Sequence, residues 1–150
     1  MLYFVICDNV LQFFEWWKLM HVVIVGPNPP CIRCRRILKL LREIRSEEGL
    51  DMEITHVFAG SDESEKYGRI VDSHVFLDSL GIDTSELDKL FEKRDFKGID
   101  KWLAPYVEEA RKRGIMLTPV VVVNGKVKTV CVVPEKEELR KIVKEEAAYG

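Results

Sequence analysis

"VGPNPPCIRCRR", residues 25–36, stands where an apolar run meets a charged, leucine-rich one. The run leading into it, His21 to Val25 ("HVVIV"), is β-branched and apolar, as suits a strand buried on both faces. "GPNPP" reads as a loop whose last prolines precede Cys31, and Pro favours the first turn of a helix. From Cys31 onward Ile32, Leu38, Leu41 and Ile44 recur at helical spacing, with Ile37 and Leu40 beside them. Arg35, Arg36, Lys39, Arg42, Glu43 and Arg45 fill the other face, and Gly49 is the predicted stop. "MEITHVF", residues 52–58, alternates in polarity and reads as a second strand. Strand, helix and strand in about 40 residues make a βαβ unit with a parallel pair.

Three chemistries fit Cys31 and Cys34: a redox pair, half of a metal site, or two small buried residues. A helix N-terminus carries partial positive charge and stabilises a thiolate in its first turn, where Cys31 falls. Arg33, Arg35 and Arg36 lie within one turn of it, with no acid nearby in sequence. Cys34 is one turn further in, on the same helix face, and is the predicted resolving thiol. A CxxC beside a βαβ pattern favours the redox pair. A zinc or iron–sulfur site needs about four ligands. No second CxxC exists, and Cys7, Cys131, His21, His56 and His74 are scattered.

Beyond residue 60 the pattern is mainly helical as far as 113. "SDESEKYGRIVDSHVFLDSLG" (61–81) predicts a helix with an acidic first turn, and "DTSELDKLFEKRDF" (83–96) a second. "GIDKWLAPYVEEARKRG" (98–114) predicts a third, with Pro105 kinking it or sitting in its first turn. "TPVVVVNGKVKTVCVV" (118–133) is two strands joined at Asn124-Gly125, a strong hairpin signal. The closing helix turns Leu139, Ile142 and Val143 inward.

With 150 residues the chain fits one domain with an insertion. Its 47% hydrophobic and 32% charged residues are those of a globular protein, not a disordered one. A net charge of -2 gives no global attraction to nucleic acid or to anionic membranes. No apolar run approaches the roughly 20 residues of a membrane span. "LYFVICDNVLQFFEWWKL" (2–19) carries Asp8 and Glu15 and lacks both a basic leader and a small-residue cleavage site. The expectation is a cytoplasmic protein, in a compartment that keeps thiols reduced. Phe13, Phe14, Trp16 and Trp17 of that segment would pack on their own domain, form a homodimer contact or dock a partner, and Met20 is an alternative start. The domain reading is therefore 1–20 as an aromatic-rich extension and 21–150 as one domain.

Strand, loop, CxxC at a helix start, strand, then Thr-Pro ahead of a β-hairpin and final helix: this α/β order resembles the thioredoxin-like fold. Nearest are small redox-active disulfide proteins, similar to both thioredoxin and glutaredoxin. The resemblance covers residues 21–58 and 115–146. It implies that Pro119 is a cis-proline opposite Cys31 and Cys34, and that Thr118 holds a substrate segment by main-chain hydrogen bonds. Pro30 and Arg33 would flank that substrate. It further implies a thiol–disulfide oxidoreductase acting on protein disulfides or dithiols, with an unidentified reductase or electron donor and no cofactor or metal. A CxxC metal-binding or metal-delivery module and a non-catalytic adaptor are the alternatives. The departures are a Pro in place of the Trp that thioredoxin has before its first Cys, no carboxylate in "HVVIV", Ile-Arg between the cysteines, and the long segment 60–113. Such an insertion would shape the substrate surface. Cys131 falls where the small proteins tend to have Gly, and is read as a buried residue rather than a third exchanging thiol. His56 and His74 are read as core or boundary residues rather than bases.

Overall fold

The computed structural model of the protein describes residues 19–149. The expected βαβ unit opens it: β1 (Met20–Gly26), α1 (Ile32–Glu48) and β2 (Met52–Phe58). β1 and β2 are parallel, with Ile24 opposite His56 and Gly26 opposite Phe58. Gly49 ends α1 at φ 60, a left-handed conformation that costs glycine little, and donates its N–H to Arg45 O. Met20 is 3% exposed and pairs with Met52 at the start of β1. The aromatic extension, Cys7 and the expected homodimer contact lie outside the described residues.

The segment after β2 is α2 (Asp62–Glu65), β3 (Ile70–Val71), α3 (Ser73–Ser79), α4 (Ser85–Glu92) and α5 (Phe96–Lys112). The single helix expected over 61–81 is therefore corrected to two short helices around a strand. Gly68, at φ 126, breaks the helical path, and β-branched Ile70 and Val71 pair in parallel with Met116 and Leu117. Asp72 then starts α3 by accepting the N–H groups of His74 and Val75 on its carboxylate. Pro105 lies inside α5 with its ring exposed, not in the first turn.

The chain closes with β4 (Met116–Leu117), β5 (Val120–Val123), β6 (Lys126–Val130) and α6 (Lys136–Tyr149). The main sheet has the order β2-β1-β5-β6, with β5 antiparallel to both β1 and β6. Asn124 and Gly125 have φ 49 and 79, the two positive values a tight hairpin needs. One face of the sheet (Val22, Ile24, Val121, Val123) packs against Ile37, Leu41 and Ile44 of α1 and Leu139 and Val143 of α6. Val25, Val120 and Val122 pack with Ile70 in a second cluster. The insertion has a core of its own, including Leu77, Leu87, Ile99 and Leu103, which also takes in Leu117 and Cys131. Among the described residues no helix is long and apolar enough to cross a membrane.

Candidate active site

Cys31 is the N-cap of α1, half-buried, and Cys34 lies one turn on and fully buried. Both are reduced, with their sulfurs 3.6 Å apart. The first turn of α1 contains no acid, so nothing on that helix end opposes a negative charge. Cys31 is lowered to about 6, chiefly by a hydrogen bond with the Cys34 thiol, then by the backbone N–H groups of Cys34 and Arg33 and the Arg33 charge, against the upward push of burial. Cys34 is driven far above the ordinary thiol range, first by that same hydrogen bond and then by burial. Once Cys31 is the thiolate, the Cys34 S–H is the donor between them. The arrangement favours the thiolate at Cys31 and the protonated thiol at Cys34.

The Thr118–Pro119 peptide bond is cis. It sits between β4 and β5, and Thr118 O accepts from Nη1 of Arg33, a residue of the CxxC turn, at 3.4 Å. A family described as thioredoxin domain matches residues 104–144, from α5 through most of α6. The chain has a thioredoxin-like fold. The match takes in Thr118, Pro119 and the hairpin and stops short of Cys31 and Cys34, which the sheet order and the position at the start of α1 supply. No curated protein matches the chain.

The thioredoxin-like frame carries an unusual cover over the cis-proline. Thr118 is 3% exposed and Pro119 is buried too. The Thr118 N–H donates to Val71 O at 3.2 Å, extending the β3–β4 ladder by one bond. Its carbonyl accepts from Ser73 Oγ at 2.6 Å, and its hydroxyl accepts from the Ser73 N–H at 3.1 Å. Thr118 therefore has its main-chain groups engaged with the insertion, where the resemblance implied a substrate segment. Pro30 and Cys31 keep partial exposure at the mouth of the site.

Arg33, also expected among the substrate-binding residues, is 1% exposed. Nη2 binds Asp100 Oδ1 at 2.8 Å and Cys131 O at 2.6 Å. Asp100 Oδ2 in turn accepts the Val133 N–H at 3.0 Å. Burial pushes the Asp100 carboxyl up, against the pull of the Val133 N–H and Arg33. Arg33 keeps its charge, because a guanidinium does not give up its proton, and its contact at 2.8 Å favours the ionised Asp100. Asp100, Ser73 and Val71 were missed in the sequence because nothing local marks them. Asp100 is one charge among many, and its importance arises from a partner 67 positions away.

Cys131 is fully buried at φ 56, which explains why a glycine would suit the position. Its sulfur faces Arg33 Nη1 at 3.7 Å and Ser73 Oγ at 3.5 Å, in keeping with a packed residue. His74 is exposed and stacks near Phe91, so it is a surface residue rather than a core one. His56 is different: its Nε2 is buried and has no hydrogen-bond partner among the described residues. Among those residues no three His, Cys, Asp or Glu side chains converge as a metal ion would require.

Proposed function

We propose that this thioredoxin-like protein is a thiol–disulfide oxidoreductase working through Cys31 and Cys34. The observation that carries the reading is the inequality of the pair: a half-exposed sulfur lowered to about 6 beside a buried one pushed strongly the other way. The Cys31 thiolate attacks one sulfur of a substrate disulfide, the substrate S–S bond breaks, and the departing thiolate takes a proton from solvent. Cys34 then loses its proton and attacks Cys31 Sγ. The mixed disulfide breaks, the second substrate thiolate leaves, and Cys31–Cys34 holds the oxidising equivalents until a reductase or another dithiol removes them. Substrates are protein disulfides or dithiols that reach Cys31 from the Pro27–Pro30 side, since Thr118 is covered.

A redox titration of the purified, metal-analysed protein tests this. After equilibration in graded dithiol buffers and alkylation, peptide mass should report a reversible Cys31–Cys34 disulfide with one midpoint. Cys34→Ser should accumulate mixed disulfides on Cys31, and Cys31→Ser should exchange nothing. Two thiols that stay reduced across the series, with about one bound metal per chain, would mean coordination chemistry instead.

A further inference from the structure

The resolving step has a chemical difficulty that the fold answers at β2. Cys34 is fully buried and must shed a proton before it can attack, yet no carboxylate lies along β1 beneath it. Gly26 ends β1 directly under the thiol. A Cβ built there would overlap Cys34 Sγ outright and would stand 3.1 Å from His56 Nε2. The sulfur thus fills the place that a side chain at residue 26 would take, and the ring nitrogen borders that same place. From the other side comes a buried ring nitrogen without a hydrogen-bond partner among the described residues.

We propose that His56 is the general base that takes the Cys34 proton when the mixed disulfide is resolved. This rests on the oxidoreductase reading and adds a catalytic residue to it. Nε2 accepts the S–H proton directly, after a turn of the Cys34 side chain that the missing side chain at Gly26 permits. The Cys34 thiolate attacks Cys31 Sγ, the bond from Cys31 to the substrate sulfur breaks, and the substrate leaves as a thiolate. The imidazolium then returns its proton to solvent or to that thiolate. In the reverse direction it protonates Cys34 as the Cys31–Cys34 bond opens.

The surroundings suit a base. Burial lowers the His56 pKa, so the ring is neutral and can accept near pH 7. Besides Cys34 it meets the Phe58 ring edge-on at 6.0 Å between centroids. It also lines a cavity of about 340 Å³ whose wall includes the exposed carboxylates Asp62 and Glu63 of α2, a route by which the proton reaches water.

The test uses the full chain and a dithiobis-nitrobenzoate disulfide, whose thiolate is coloured, at equimolar ratio in stopped flow. Wild type should release two equivalents, the first from attack by Cys31 and the second from attack by Cys34. His56→Gln should slow the second phase by about 100-fold or more, the lower end of the range for general-base catalysis being about 100-fold, and leave the first phase intact because Cys31 needs no base. His56→Asp should recover part of the second phase. In wild type that phase should weaken as pH falls through the His56 titration, read independently from its imidazole NMR signal. That comparison needs no variant and stands if His56→Gln fails to fold. A second phase unchanged in His56→Gln, equal losses in both phases, or an inflection that does not follow His56 would each overturn the assignment while leaving the oxidoreductase reading in place. Release of only one equivalent by wild type would overturn both.

Discussion

Cys31 and Cys34 share one bond, and that bond sets their difference. The Cys34 thiol is the largest single influence lowering Cys31, ahead of the α1 backbone and Arg33. Alkylation of Cys31 by iodoacetamide should therefore rise to half its plateau near pH 6 in the wild type. Cys34→Ala should move that midpoint up by at least one pH unit, and Cys34→Ser, which keeps a donor, by less. The sign carries into stability. A lowered folded pKa means that the thiolate's contribution to the reduced protein is whole above the ordinary thiol range. It fades as pH falls and is gone once pH is below about 6. At this scale the sequence was readable for the two cysteines, because helix-end electrostatics are local. It was not readable for His56, because its significance depends on Gly26, which is a neighbour only after β1 and β2 pair.

Between elements, the decisive link is Arg33 on α1 to Asp100 on α5. It fastens the insertion to the helix that carries the cysteines, and Asp100 extends the tie to Val133 beyond β6. Removing one partner of such a pair leaves a buried charge without compensation, typically a loss of about 3–5 kcal/mol. Asp100→Ala should lower the denaturant midpoint accordingly, and Asp100→Asn, which retains an acceptor for Val133, should lower it less. If both leave the midpoint unchanged, the insertion is held by its apolar contacts alone. Periodicity foretold β1, α1, β2, the hairpin and α6, each of which is long or carries its own turn signal. It misread 61–81, since β3 is only two residues and becomes a strand solely by pairing with β4, some 46 positions later in the chain.

The whole molecule is a thioredoxin-like sheet with a helical insertion that keeps its own core and reaches back to cover the cis-proline. Strand addition normally supplies affinity through main-chain bonds and specificity through side-chain pockets. With Thr118 engaged, neither is on offer there. Peptide disulfides that differ only in the residues flanking the cystine should then react with Cys31 within about tenfold of one another, or ~1.4 kcal/mol. A strong dependence on the flanking residues would mean that the cover opens. Resemblance to the family anticipated the frame but not this cover, because the resemblance leaves Val71 and Ser73 of the insertion outside it.

The bond from Thr118 to Val71 has one more consequence, which lies in concentrations. Val71 is held in the same chain, so it meets Thr118 at an effective concentration set by the fold and not by the solution. A free peptide competing for that backbone must exceed this level, or gain a second foothold elsewhere on the protein, before Thr118 would change partners.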